Sequence, residues 1–257
     1  MIFPTKFVSW EEVNEWSWLL AQKIENSRWR PDVIVAVGRG CFVVSRLLCD
    51  LLRVERLLVI PVRWHERNQR RGENYLASLI RVFVKASEKG LTPEKGIAKV
   101  VRELEVRVEW KPKVSLRGQK ALLLEEIVAT GMHFKIAKDI VKQEWNANET
   151  KTATLVWKES ATITPDYYIL RPKEFVWFQF PWSRLSDYIQ FLNVMLSIES
   201  KSRGKSVWSE EEISEVFRVW YGANPDPKYL RGALNILERI SNNIKLLGKS
   251  KVSVLHQ

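Results

Sequence analysis

The residues from Ala121 to His133 constrain the fold more than any other stretch of this chain. Residues 121–124 form an apolar run of strand length, Glu125 and Glu126 follow, and a Thr-Gly turn leads into a helical pattern. The stretch predicts a strand, a loop and a helix N-terminus. Backbone N–H groups in such a loop lack internal partners, and the helix dipole favours negative charge, so the junction is predicted to bind an anion.

The two acids at the end of this strand suit a sugar. Successive strand residues point to opposite sides, so Glu125 and Glu126 can reach different hydroxyls of a ribose, or waters on Mg²⁺. A ribose 5-phosphate group fits this geometry. The alternative is a buried strand followed by an ordinary turn with solvated acids.

A second strand, turn and helix precede this one in the chain. Residues 33–37 form a continuous apolar strand, typical of a parallel sheet, and the turn Gly38-Arg39-Gly40 leads into another helical pattern. Glycines let N–H groups converge on an anion, and Arg39 adds a fixed positive charge. The turn is weak evidence alone, but two such junctions in one chain strengthen each other.

Between these two units the pattern is less regular. Residues 57–62 are predicted to form a strand, and residues 63–72 a polar, basic and mobile loop beside the predicted anion site. Residues 73–113 are interpreted as a helical insertion, with a helix beginning at Thr92 and Pro93.

Aromatic residues follow the central motif. Residues 152–158 are predicted to form a strand ending in Lys158, and an aromatic run over residues 175–182 contains Trp177 and Phe178. Taken alone, such a run is more often a core strand than a ligand-binding face.

These motifs resemble those of type I phosphoribosyltransferases. The stretch from Ala121 to Gly131 resembles their phosphoribosyl-pyrophosphate (PRPP) motif, with Glu where Asp is commoner, and Arg39-Gly40 resembles their pyrophosphate loop. Lys158 and the aromatic run resemble the purine-binding edge of xanthine-guanine and related archaeal purine enzymes. The resemblance covers about residues 8–182.

The resemblance implies an α/β fold with a parallel-sheet type I phosphoribosyltransferase core, and the helical patterns after residue 182 predict a C-terminal helical bundle. It implies transfer of ribose 5-phosphate from PRPP to a purine with release of pyrophosphate, a Mg²⁺ cofactor bound through PRPP and through Glu125 or Glu126, and a homodimer. The implied catalytic residues are Arg39, Glu125 and Glu126. By resemblance, PRPP and its 5′-phosphate are held by Arg39, Gly40, Glu125, Glu126, Ala129, Thr130, Gly131, Met132 and His133, and the base by Ile127, Lys158, Trp177 and Phe178.

Lys158 and Ala129 favour different purine substrates. Lys158 suits a 6-oxopurine, because an ammonium donates to a carbonyl oxygen and cannot accept from the amine of adenine. Ala129 resembles the adenine enzymes, since the 6-oxopurine enzymes carry there an Asp that handles the proton at N7. Ala cannot acquire that function whereas Lys158 can turn away, so adenine is favoured and a 6-oxopurine is the alternative. A PRPP- or nucleotide-sensing regulator without turnover is the alternative of another class.

Composition sets the remaining expectations. The chain has 257 residues, a net charge of +11 and no apolar run near twenty residues, so we expect a cytoplasmic protein that does not span a membrane. Residues 1–182 are predicted to be the phosphoribosyltransferase domain and residues 183–257 a three-helix appendage, with helices over 185–196, 209–220 and 227–247. A DNA-binding helix-turn-helix is an alternative for the appendage. Glu210, Glu211, Glu212 and Glu215 would repel phosphates, so nucleic acid is not expected as a partner.

Overall fold

The computed structural model describes residues 2–66, 74–241, 243–248 and 250–255. The helices are α1 (Trp10–Asn26), α2 (Cys41–Leu52), α3 (Tyr75–Glu88), α4 (Glu94–Arg102), α5 (Met132–Asp139), α6 (Arg184–Arg203), α7 (Glu210–Tyr221) and α8 (Pro227–Ile240). The strands are β1 (Thr5–Phe7), β2 (Val33–Val37), β3 (Arg56–Ile60), β4 (Val62–Glu66), β5 (Leu104–Val108), β6 (Lys120–Val128), β7 (Glu149–Trp157), β8 (Tyr167–Leu170), β9 (Trp177–Gln179), β10 (Val207–Ser209), β11 (Ile244–Leu247) and β12 (Lys251–Val254). Among these described residues, no helix is long and apolar enough to span a membrane.

By packing, the chain divides into two compact units. One comprises Ser9–His65 and Val106–Phe175, and we call it the α/β unit. The other comprises Met1–Val8, Glu66–Glu105 and Val176–Gln257, and we call it the helical unit. The domain boundary that we expect after residue 182 stays a prediction. Packing groups the chain differently because β9, which precedes residue 182, pairs with the N-terminal strand β1 in the helical unit.

The α/β unit contains a parallel sheet in the order β3-β2-β6-β7-β8. The strand β2 is wholly buried, as its continuous apolar sequence predicts for a sheet covered on both faces. Helix α1 begins at a capping box, in which Ser9 and Glu12 exchange hydrogen bonds of 3.0 and 3.1 Å. The predicted α/β fold with a parallel central sheet is confirmed.

The prediction for residues 57–72 is partly wrong. The strand β3 ends at Ile60, because Pro61 has no N–H to continue a ladder, and residues 62–66 form the separate strand β4, which pairs with β5. Residues 63–66 are therefore in a strand rather than the predicted loop. The remainder of that loop, residues 67–72, lies outside the described residues.

The predicted insertion contains both helices and a strand. Helices α3 and α4 occupy most of residues 75–102, as expected for a helical insertion, but Leu104 begins the strand β5. Apolar residues at 104, 106 and 108 alternate with charged ones, which is the period of a strand.

The helical unit has an aromatic core and a small sheet near the C-terminus. The Phe191 ring stacks on Tyr221 at 4.2 Å, and Phe3 meets Tyr221 edge-on at 6.4 Å. The helix predicted over residues 227–247 is wrong beyond Ile240, because β11 follows and forms a hairpin with β12. Buried apolar residues at 244, 252 and 254 recur at strand spacing, and Gly248, with φ of +70°, lies in the hairpin turn rather than at a helix end.

Candidate active site

The site begins where β6 passes into α5. Glu125 and Glu126 lie on β6, three and two residues before its end, and Glu125 is in register with Thr154 of β7. Gly131 precedes the first turn of α5 with φ of +86°, a backbone conformation that favours glycine. Met132 N–H donates to the Thr130 hydroxyl at 3.2 Å, which leaves the proton of that hydroxyl available for an anion.

Glu125 and His133 form a buried pair at this junction. The His133 Nδ1 atom lies 2.6 Å from Glu125 Oε1, and both residues are 8% exposed. The His133 Nε2 atom is buried and has no hydrogen-bond partner among the described residues. The Trp64 ring, on β4, lies over the imidazole with centroids 4.5 Å apart. No sequence signal marked Trp64, because it falls in the stretch predicted to be a loop.

Glu126 has unusual acidity. Burial, and next the charge of Glu125, raise the pKa of the Glu126 carboxyl to about 7, although its own backbone N–H and His133 act in the opposite direction. Near neutral pH, therefore, Glu126 exchanges between a neutral acid that can donate a hydrogen bond and a carboxylate that can only accept.

The glycine turn after β2 lies at the same edge of the sheet. Because Ala36 of β2 is in register with Leu124 of β6, the residues that follow both strands meet at their carboxyl ends. Gly38 has φ of +84°, Arg39 is exposed, and Gly40 precedes the first residue of α2. This edge is where ligands bind in parallel α/β sheets.

Cys41 connects the glycine turn to β6. Its thiol donates to the Leu124 carbonyl at 2.7 Å, and burial raises the pKa of this thiol well above its usual range. The apolar neighbours of Cys41 in the sequence indicate a buried packing residue, and nothing in the sequence points to this hydrogen bond.

The turn after β7 donates hydrogen bonds to the Thr-Gly loop. The Thr162 N–H and hydroxyl both donate to the Thr130 carbonyl at 3.0 Å, and the Ser160 hydroxyl donates to the Ala129 carbonyl at 2.8 Å. These bonds occupy loop carbonyl oxygens, so the loop can present its N–H groups to a ligand. No sequence motif marked this turn.

Lys158 lies at the end of β7, at the start of the same turn. Burial lowers the pKa of its ammonium to about 8, and this ammonium lies 4.6 Å from the centroid of the Phe175 ring. The backbone N–H of Lys158 donates to the Val128 carbonyl at 2.9 Å, and this hydrogen bond connects the ends of β6 and β7.

The predicted site residues divide between the two units. The α/β unit brings together Arg39, Gly40, Glu125, Glu126, Ile127, Ala129, Thr130, Gly131, Met132, His133 and Lys158 around the carboxyl end of its sheet. Trp177 and Phe178 belong to the helical unit, where Phe178 is 6% exposed and the Trp177 indole N–H donates to Asp187 Oδ2 at 3.0 Å. Their contact with a base stays a prediction.

Comparison with known proteins identifies the family. Residues 10–188 match the family model described as "Phosphoribosyl transferase domain". The chain therefore belongs to the phosphoribosyltransferase family, a family of pentosyl-transferring enzymes. No curated protein sequence matches it significantly.

Comparison with solved structures gives several that are similar to this chain. The purine phosphoribosyltransferase from Pyrococcus horikoshii Ot3 is similar with a TM-score of 0.51 and 21% identity, over 70% of this chain and 94% of that one. A hypothetical protein from Neisseria gonorrhoeae with bound ppGpp has a TM-score of 0.49 and 19% identity, over 70% and 90%. The xanthine-guanine-hypoxanthine phosphoribosyltransferase of Helicobacter pylori has a TM-score of 0.46 and 16% identity, over 68% and 91%.

Enzymes of this family generally use Mg²⁺ together with PRPP, and Glu125 and Glu126 are candidate ligands for such an ion. Magnesium is commonly held by one or two carboxylates plus substrate phosphates, and Glu125 and Glu126 offer such oxygens. Within the described residues, there is no cluster of three or more His, Cys, Asp or Glu side chains that could hold a metal. The donor set fits an ion that is bound mainly by the substrate.

Proposed function

We propose that this protein transfers ribose 5-phosphate from PRPP to a purine, with adenine favoured and AMP as the product. The observation that carries the proposal is the meeting of three parts at one edge of a parallel sheet. These parts are the glycine turn with Arg39, the acids Glu125 and Glu126, and the Thr-Gly loop at the N-terminus of α5.

The phosphate-binding roles follow from local backbone geometry. The 5′-phosphate is assigned to the loop of Ala129 to His133, whose N–H groups and helix dipole favour an anion. The pyrophosphate is assigned to Arg39 and Gly40, where an exposed guanidinium stands beside glycines.

The reaction breaks the bond between ribose C1 and the pyrophosphate oxygen and forms a bond between C1 and a purine ring nitrogen, whose proton passes to the departing pyrophosphate. Positive charge develops at C1, so nearby carboxylates stabilise it, and Arg39 stabilises the negative leaving group. Mg²⁺, when bound, adds positive charge on the leaving side. Glu125 and Glu126 are assigned to the ribose hydroxyls, and Glu125 is held in place by His133.

The choice of base rests on Ala129 and Lys158. Ala129 has no group that can exchange a proton with N7 of the base. The family resemblance implies that a 6-oxopurine enzyme requires such a group. The Lys158 ammonium already lies over the Phe175 ring, so it has an interaction that does not involve a purine carbonyl. Ile127, Trp177 and Phe178 complete the proposed base-binding set. The protein is further proposed to be cytoplasmic and a homodimer.

The test is PRPP-dependent pyrophosphate release with adenine, hypoxanthine, guanine and xanthine in one preparation. We expect kcat/KM for adenine to exceed the others by roughly tenfold or more, because a mismatched exocyclic group leaves a buried polar group unpaired at about 1–3 kcal/mol. A preference for an oxopurine would refute the adenine assignment. No turnover with any base, alongside tight PRPP or AMP binding, would instead indicate a regulator.

A pair of variants separates the role of position 129 from a general charge effect. Ala129→Asp supplies the missing carboxylate and should raise the rate with hypoxanthine or guanine. Thr164→Asp adds the same charge at an exposed position of the neighbouring turn and should leave the base preference unchanged. Equal effects of the two variants would contradict a specific role for position 129.

A further inference from the structure

The end of the helical unit has an arrangement that the transferase reaction does not use. Along the chain, α6 is followed by β10, α7, a turn, α8 and the hairpin of β11 and β12. The strands form a sheet in the order β10-β12-β11, and both pairings are antiparallel. A helix-turn-helix flanked by such a hairpin is the arrangement of a winged helix.

The connection between α7 and α8 is built as a tight turn. Helix α7 ends at Tyr221, and Gly222 adopts a left-handed conformation with φ of +80°. Asp226 caps α8 by accepting from Lys228 N–H at 2.9 Å, and Pro227 is the first helical residue. A short glycine-containing turn between two helices is the mark of a helix-turn-helix.

Packing fixes which face of α8 is outward. Leu230, Ala233, Leu234 and Leu237 are at most 4% exposed. Lys228, Asn235 and Arg239 are exposed, and their spacings of seven and four residues place them on one face. We call these three residues the α8 stripe. Arg and Asn are side chains that read guanine and adenine edges, and Lys binds phosphate.

Charge is concentrated in the same region. Residues 227–257 contain six Lys or Arg and one acidic residue, Glu238. Lys245 and Lys251 are exposed on the two strands of the hairpin. The positive charge therefore extends from one face of α8 onto the hairpin beside it.

Two of the four acids of α7 that argued against nucleic acid in the sequence have basic partners. Glu210 pairs with Arg231 of α8 at 2.6 Å, and Glu212 pairs with Lys205 while capping α7 through Ser209 N–H. All four acids lie on α7, the first helix of the motif, whereas the second helix reads the bases in a helix-turn-helix. The objection to DNA binding therefore does not apply to α8.

We propose that residues 184–255 form a winged helix that binds double-stranded DNA, with the α8 stripe in the major groove and the β11–β12 hairpin against the adjacent backbone. The B-DNA major groove admits an α-helix, whereas the major groove of A-form RNA is too narrow and deep for side chains to read. Double-stranded DNA is therefore the partner that an exposed helix and a basic hairpin fit together.

The experiment uses the full chain and a fluorescent DNA duplex of mixed sequence, roughly 30 base pairs or three helical turns long. Fluorescence anisotropy without PRPP should give a Kd on the order of 10⁻⁴ to 10⁻⁶ M at physiological salt, and the Kd should weaken steeply between about 50 and 200 mM salt. Transferase activity is measured separately without DNA, so failure of either proposal is distinguishable from failure of the other.

Variants locate the surface. Lys228→Ala with Arg239→Ala should weaken duplex binding by at least about tenfold at 100 mM salt and reduce the slope of log Kd against log salt by about 2, because on a duplex without a specific site both side chains meet the phosphate backbone and each substitution removes one cation. Lys245→Ala with Lys251→Ala should act in the same way. Lys85→Ala with Lys89→Ala removes two exposed charges from α3 and its end in the same unit and should have little effect. All three should keep wild-type circular dichroism and transferase rates.

Three outcomes would overturn the proposal. The first is no duplex binding by the wild-type chain at about 100 μM. The second is an equal weakening in the control variant, which would indicate general charge attraction. The third is tighter binding to single-stranded DNA or to an RNA hairpin than to the duplex.

Discussion

At the scale of single residues, the sequence predicted which side chains lie together at the sheet edge better than it predicted their partners. Glu125 and His133 were both assigned to bind PRPP, yet they also bind each other at 2.6 Å. Eight residues separate them, and only the sharp turn at Gly131 brings α5 back beside β6. Periodicity specifies the elements, but it does not reveal contacts of this kind between a strand end and the following helix.

The Glu125–His133 pair predicts an asymmetric effect on stability. His133→Ala leaves a carboxylate buried without its partner and should lower the free energy of unfolding by roughly 3 kcal/mol. Glu125→Gln keeps a hydrogen-bonding oxygen and should cost less. Urea denaturation of both single variants and the double variant measures this. Single-variant effects that add within about 0.5 kcal/mol would show that the pair is not coupled.

Asp187 predicts a pH dependence of stability. Burial raises the pKa of this carboxyl to about 7, while hydrogen bonds from Trp177 and Ser183 oppose the shift. The folded chain therefore holds a proton that the unfolded chain releases, so stability should decrease as pH rises from about 4 to 7, by at most roughly 4 kcal/mol. Asp187→Asn should flatten this decrease in thermal unfolding, and Asp139→Asn, at an exposed position, should not. An unchanged slope in Asp187→Asn would contradict the assignment.

At the scale of secondary structure, segments with a constant spacing of apolar residues were predictable from the sequence. Points at which that spacing changes from one element to the next were not. The buried strand over residues 33–37 and the helix over residues 209–220 were predicted from local residues, and the structure has β2 and α7 there. The errors at Pro61, Leu104 and Ile240 all lie within a few residues of the start of a strand that follows another element. Apolar residues lie on both sides of each boundary, so composition alone does not mark the change.

In the loop before α5, Gly131 lies so close to Ile163 that a larger residue would collide with it. A Cβ at Gly131 would lie 3.0 Å from Ile163 Cβ and 3.2 Å from Ile163 N, at a φ of +86°. Gly131→Ala should therefore lower stability by roughly 2 kcal/mol and raise the KM for PRPP. Gly118→Ala is the matched control, because Gly118 has φ of +79° with no atom within 4 Å of the added carbon. Equal destabilisation in the two variants would show that Ile163 imposes no constraint.

At the scale of the whole molecule, the sequence predicted the class of fold, and its motifs lie at one edge of the sheet, because a parallel α/β sheet places the ends of its strands together. It did not predict the C-terminal arrangement. The hairpin of β11 and β12 is only four residues long on each side, and its apolar residues continue the pattern of α8. A three-helix appendage and a winged helix therefore look alike in sequence until the strands are paired.

The last prediction concerns assembly. Helix α1 buries one face through Val13, Trp16 and Leu20, but Trp10 and Trp18 remain 50% and 57% exposed. Large exposed apolar side chains on one helix mark an interaction surface, and a second copy of the same helix is the simplest partner with a two-fold axis. We therefore expect a homodimer, with light scattering giving about twice the chain mass of 30.1 kDa at micromolar concentration.

Substitution of one tryptophan tests this surface. Trp18→Glu should convert the dimer to a monomer, because a carboxylate on each copy would be buried against the other at the two-fold axis. Trp110→Glu is the control, since Trp110 is 58% exposed in the same unit but lies outside α1. A monomeric wild-type chain would refute the homodimer, and a dimeric Trp18→Glu variant would place the interface elsewhere than on α1.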